Sequence, residues 1–149
     1  MKHTTNPFQK FQEESFGNIA EYSKDSLWIS DSDAWLKKAF EHKYMYNFFW
    51  MGRPIIQLPN DILAMQELIW QIRPDLIIET GIAHGGSLIL SASMLSLLDY
   101  SDAIAQGAML DPKAPRRRVL GLDIDITKIK QEFGFSPRLL SCDLAFLLE

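Results

Sequence analysis

Residues Leu76 to Leu90 read LIIETGIAHGGSLIL: an apolar run, a turn containing Gly81, Gly85 and Gly86, and a second apolar run. Leu76, Ile77 and Ile78 have the unbroken apolar character of a buried parallel strand. From Ser87 to Leu98 almost every position is apolar or small, which suits a helix lying between a sheet and another layer. Val119 to Leu122 makes a second buried strand that ends at Asp123 and Asp125. Strand, glycine turn, helix, connection and strand form a βαβ unit, so the expected class is α/β with a parallel sheet and a right-handed crossover.

On the amino-terminal side, the first 30 or so residues are polar with scattered aromatics at Phe8, Phe11, Phe16, Tyr22 and Trp28. They read as a loosely helical leader that packs on a later core. Asp31 or Ser32 is placed to cap a helix in which Trp35, Leu36, Ala39 and Phe40 share a face. In YMYNFFWMGRPIIQLPND, Tyr44 to Asp61, the residues Gly52, Pro54 and Pro59 stop any helix and predict an ordered connection. Asn60 or Asp61 then offers a cap for a helix carrying Ile62, Met65, Ile69 and Ile72 at near-helical spacing, ended by Arg73 to Asp75. Asp99 to Arg118 reads as a surface connection with at most a short helix. This divides the chain into an α-helical, aromatic-rich segment over 1–59 and a parallel-sheet domain over 60–149.

The bulk properties narrow the classes. A chain of 149 residues has room for one compact domain, and a formal charge of −4 gives no general attraction to nucleic acid or anionic lipid. The single cysteine, Cys142, excludes an intrachain disulfide and suits a reducing, cytoplasmic setting. The first residues lack the apolar stretch of a signal peptide, and Ile77 to Leu98, interrupted by glycines, Glu79 and His84, is a poor bilayer span.

Ligands of such sheets bind beyond the carboxyl ends of the strands, where the next helix presents free N–H groups. Gly81 and Gly85 allow a sharp turn and close backbone approach. The order Glu79-x-Gly81-x-Ala83-x-Gly85-Gly86-Ser87 is neither G-x-G-x-x-G nor a P-loop, which disfavours dinucleotides and triphosphates. A nicotinamide-dependent oxidoreductase is disfavoured on the same ground. A ligand with an amino-acid head and a nucleoside fits better: turn, Ser87 and helix N-terminus hold a carboxylate, and Asp123 accepts two ribose hydroxyls. S-adenosylmethionine has that form.

ETGIAHGGS, Glu79 to Ser87, resembles motif I of class I S-adenosylmethionine-dependent methyltransferases. Together with YNFFWMGRPIIQLPND (Tyr46 to Asp61) and VLGLDIDI (Val119 to Ile126), in this order, it resembles the cephalosporin hydroxylase family, which includes rhamnosyl O-methyltransferases. The resemblance implies a Rossmann-like sheet, O-methylation of a sugar, glycolipid or similar small hydroxylated acceptor, and a divalent metal such as Mg. Over this sequence it implies that Gly81, Gly85 and Ser87 line the methionine moiety, that Glu79 supports the turn, and that Asp123 binds the ribose.

The family's metal and catalytic acids follow later strands, and 26 residues follow Asp123. They allow one helix, TKIKQEFGF, and one further strand around Arg138 to Cys142. The expectation is therefore a partial sheet of two or three strands, with no assignable catalytic residue or metal ligand and impaired catalysis. The alternative is a non-catalytic cofactor-binding remnant or subunit. An uncovered sheet predicts marginal stability, aggregation, or rescue by a partner subunit in a homo-oligomer.

Other candidates read more plainly as structure. Cys142 suits a buried thiol, Asp143 a terminal carboxylate without a role, and Asp125 a solvated strand-end carboxylate. His3, His42 and His84 form no facial metal triad. Tyr44 to Trp50 packs the leader on the sheet more readily than it walls an acceptor pocket oriented by Arg53. Arg116 to Arg118 reads as a solvated loop.

Overall fold

A computed structural model of the chain describes residues 6–125 and the backbone of residues 144–147. The chain divides into two units, Met1–Lys43 and Tyr44–Glu149. The readings for TKIKQEFGF, Arg138 to Cys142 and Asp143 fall outside the described residues.

The first unit holds two helices. Helix α1, Pro7–Tyr22, starts with proline at its first turn, and Asn6 Oδ1 accepts from the Phe8 amide at 3.0 Å. Helix α2, Ser26–Glu41, begins earlier than the Asp31 or Ser32 cap predicted. Asp25 supplies the cap instead, with one carboxylate oxygen accepting from both the Leu27 and Trp28 amides at 3.0 Å. Tyr22 and Trp28 stack across the junction with ring centroids 5.0 Å apart. Ala39 is buried, while Trp35 and Phe40 on the same predicted face stay exposed.

The second unit opens with a 3-10 turn, Tyr44–Asn47, and a hairpin of strands β1, Phe48–Trp50, and β2, Arg53–Ile55. The ordered connection expected here thus contains a hairpin. Met51 and Gly52 both take positive φ, 47° and 84°, which gives the two-residue turn that matches strand twist. Pro54 is tolerated because β2 pairs only with β1 and needs no second ladder partner. The hairpin packs on helix α4, Gly86–Gln106, and Trp50 Nε1 donates to Ser93 Oγ at 3.0 Å.

Helix α3, Pro59–Ile72, again begins with proline and ends at Arg73 in the left-handed region, with φ 51°. Strand β3, Leu76–Thr80, pairs in parallel with β4, Arg118–Leu122, which pairs in parallel with β5, Leu144–Leu147. The sheet order is β3-β4-β5, so the α/β class stands. The third described strand is Leu144–Leu147.

Two further features differ from expectation, the length of α4 and the covering of β3. Helix α4 continues past Leu98 to Gln106, where Gly107 with φ 61° ends it, so much of the supposed surface connection is helical. Strand β3 is covered on one face only. Ile77 packs into the core of Ile69, Ile82, Leu88, Leu95, Leu98 and Val119, whereas Leu76 and Ile78 on the opposite face are 51% and 58% exposed. Gly121 lets α4 lie close to β4, since a Cβ there would meet Leu88 Cδ1 at 2.8 Å. By length and composition α4 could cross a membrane, with mean hydropathy 1.3, but 44% of that window is buried in the protein core.

Candidate functional site

The carboxyl end of β3 turns into α4 through Gly81 to Gly85. Gly81 and Gly85 have φ 77° and 79°, in the left-handed region where glycine carries no Cβ penalty. Ala83 shares that region, φ 45°, and is held there by its surroundings. The Gly81 amide donates to the Leu122 carbonyl at 2.8 Å, and the Gly85 amide to the Ile82 carbonyl at 2.7 Å. A long-range clamp completes the turn: Arg53, 9% exposed, donates from Nη1 to the His84 carbonyl at 2.9 Å. Arg53 thus grips the turn's backbone and does not face an open acceptor pocket.

Asp123 lies at the end of β4 beside the same turn. Its Oδ2 accepts from the Ile82 and Ala83 amides at 2.8 and 3.2 Å, and Oδ1 accepts from the Asp125 amide at 3.0 Å. These donors, Asp125 first and then Ala83, hold its pKa below the ordinary aspartate value against the opposing effect of burial. Asp123 therefore stays an anion that nests in the turn, with both lone pairs of Oδ2 engaged by the Ile82 and Ala83 amides.

Glu79 sits on the α4 side of β3 and accepts from Ser87 Oγ in the first turn of α4. Burial raises its pKa, and the Ser87 bond offsets only part of that rise. The N-terminus of α4 has no side-chain cap, because its N-cap is Gly85. Its leading N–H groups and positive dipole end remain for an electron-rich partner. Gly86 is needed for another reason. A Cβ there would lie 2.2 Å from the Pro54 carbonyl oxygen, so only glycine lets α4 start against β2.

A cavity of about 310 Å³ opens at this turn, and Glu79, Gly81, Ser87, Gln57, Ile56 and Met65 contribute to its wall. Gln57 Oε1 is buried away from solvent without a hydrogen-bond partner among the described residues. The residues from Tyr44 to Trp50 do not line it. The fold thus brings Glu79, Gly81, Gly85, Ser87 and Asp123 together at one sheet end. Sequence reading missed Arg53 as the turn's clamp, Gly86 as a packing glycine and Gln57 as a wall residue. A buried arginine at the start of a proline-containing strand gives no local signal of the loop it will reach.

Arg117, read as one of a solvated trio, is another correction. It is 3% exposed and pairs with Asp99 at 2.5 Å and Asp102 at 2.8 Å, at the opposite end of the strands. Among the described residues no group of three or more His, Cys, Asp or Glu stands together as a metal donor set.

A strand, a glycine turn, an uncapped helix and an acid at the neighbouring strand end thus stand together at the carboxyl end of a parallel sheet, where open α/β sheets bind their ligands. The family profile of rhamnosyl O-methyltransferase/CmcI matches residues 42–138, about two thirds of the chain, and the protein belongs to that family. The match begins almost where the second unit begins, and α1 and α2 lie before it. Neither a curated protein nor a solved structure gives a match to the chain.

Proposed function

We propose that the chain binds S-adenosylmethionine at the Gly81–Ser87 turn and serves O-methylation of a small hydroxylated acceptor, such as a sugar or glycolipid, on a Rossmann-like sheet in the cytoplasm. The observation that carries this reading is the turn itself: two left-handed glycines and an uncapped helix N-terminus opening on a cavity walled by Glu79 and Ser87. Family membership supplies the reaction class.

The residues fit the cofactor. Gly81 and Gly85 admit the methionine moiety against bare backbone, and the α4 N-terminus receives its carboxylate. Ser87, already donating to Glu79, bounds that site. Asp123 anchors the turn through Oδ2 and accepts from Asp125 through Oδ1, and ribose hydroxyls would reach it by sharing or replacing those amide bonds. When bound, S-adenosylmethionine supplies a methyl group on a positively charged sulfur. The chain's own part is to orient that ligand and to hold it against a preformed turn. The divalent metal that the resemblance implies has no donor set among the described residues.

Calorimetry with S-adenosylhomocysteine tests the cofactor assignment. One-to-one binding is expected, weakened at least tenfold by Gly85→Val and by Asp123→Ala. Absence of binding to soluble, folded wild type would sink it. Transfer of labelled methyl to hydroxylated acceptors is the second measurement: transfer makes this chain an enzyme, and binding without transfer makes it a cofactor-binding subunit.

A further inference from the structure

Helix α1 carries an apolar stripe that nothing in the family match explains. Phe8, Phe11, Ser15, Ile19 and Tyr22 follow one another at intervals of three, four, four and three. At ~100° per residue they fall on one face, with Glu14 and Phe16 on its two flanks, while Lys10, Glu13 and Glu21 occupy the other side. Phe8, Phe11 and Phe16 are 66%, 69% and 70% exposed, Ile19 58% and Tyr22 45%. Exposed singly such residues are ordinary, but four large apolar side chains on one helix face, of which, among the described residues, Tyr22 alone stacks on a neighbour, Trp28, mark a contact surface.

The order of intervals is the same read in either direction. A twofold contact between identical helices must be self-complementary, so residue i meets residue j and j meets i. With two antiparallel copies of α1 crossing at Ser15, Phe8 lies opposite Tyr22 of the second copy and Phe11 opposite Ile19. Ser15 is the small side chain at the centre, and it is the least exposed class of position on α1. A surface groove of about 180 Å³ runs over it, walled by Phe11, Glu14, Asn18, Ile19 and Tyr22. Phe11, Ser15 and Ile19 form an i±4 ridge, and a groove beside such a ridge is what accepts the matching ridge of another helix.

From this geometry we infer that α1 docks on α1 of a second copy, antiparallel about Ser15. The stripe offers about 500 Å² per copy, or about 1,000 Å² in all, at the lower bound of a specific interface and therefore suited to a weak dimer. Charge does not oppose it: Glu14 at the groove wall is paired with Lys10 at 3.6 Å on its own helix. The same charges disfavour an anionic lipid surface, because α1 carries one lysine and three glutamates.

The test uses the full chain with Cys142→Ser as background. Sedimentation equilibrium should show a concentration-dependent dimer. The Phe11→Glu/Ile19→Glu pair should reduce its association constant at least tenfold without loss of helix by circular dichroism. Because that pair could act indirectly, Ser15→Cys and Lys10→Cys provide a positional readout. Ser15→Cys should form an interchain disulfide on mild oxidation, and Lys10→Cys, on the opposite side of α1, should not. A monomer at all concentrations overturns the inference. So does association unchanged by the glutamates, equal cross-linking at both positions, or stripe-dependent binding to phosphatidylglycerol vesicles by a monomeric chain.

Discussion

The two ends of β3 and β4 deal with charge in opposite ways. At the amino ends of the strands, Arg117 and Asp99 are buried side by side, with side chains 3% and 4% exposed. Asp102 bridges Arg117 to Arg73, which caps the end of α3 and lies 5.5 Å over the Trp70 ring. Asp99 also accepts from the Arg116 and Arg117 amides at 3.2 and 3.3 Å. At the carboxyl ends, Asp123 and Glu79 hold a turn whose helix terminus is uncapped and beside which a cavity opens. The first end is a closed ionic knot that ties α3, α4 and β4 together. The second is shaped by the same kinds of residue and left open.

If that contrast is right, the closed end should be the more costly to disturb. Arg117→Ala leaves the Asp99 carboxylate buried without its counter-charge, and a loss of about 3 kcal/mol is expected by urea denaturation. A cost below 1 kcal/mol would mean that the knot is solvated in solution. Gly86→Ala forces a Cβ into the Pro54 carbonyl and should cost about 2 kcal/mol, with increased exposure of Trp50 by fluorescence. A wild-type unfolding curve would show that α4 can start elsewhere.

The open end should respond in ligand binding before it responds in stability. Gly81→Ala places a Cβ where the structure leaves open space but the backbone is left-handed, so about 1 kcal/mol of strain is expected. Its loss of S-adenosylhomocysteine affinity should exceed that cost. Equal losses would reduce the turn to scaffolding.

The smallest effect expected is at Glu79. Burial raises its native pKa, so the folded chain holds this proton more tightly than the unfolded chain. Stability should therefore fall as pH rises through the ordinary glutamate range and level off above the raised native value. Glu79→Gln, which can still accept from Ser87, should flatten that part of the curve. A slope identical to wild type would show that Glu79 is not desolvated.

How much of this was legible in the sequence follows the same division. The open end could be read because its chemistry is local: glycine spacing from Glu79 to Ser87 and an acid ending an apolar run need no knowledge of distant partners. The parallel pairing of β3 with β4 followed from the same stretch. The knot could not be read, because Arg117 finds Asp99 and Asp102 only after α4 extends to Gln106, and three adjacent arginines look solvated on any local scale. The hairpin was hidden by Pro54, whose missing N–H matters only if β2 has a second neighbour. The exposed face of Leu76 and Ile78 was misread for a related reason: a short apolar run does not say how many of its faces will be covered. In the first unit, the Asp25 cap was passed over for Asp31 and Ser32, since several polar residues near a helix start compete on equal local terms.

The most direct measurement is a titration of the isotope-labelled, folded chain with S-adenosylhomocysteine, followed by amide chemical shifts. Shifts should concentrate at Gly81, Ile82, Ala83, Gly85, Ser87 and Asp123, with Asp99, Asp102 and Arg117 unmoved. A spectrum that does not change, or one whose changes centre on the Arg117 end, would contradict the assignment of the open turn as the cofactor site.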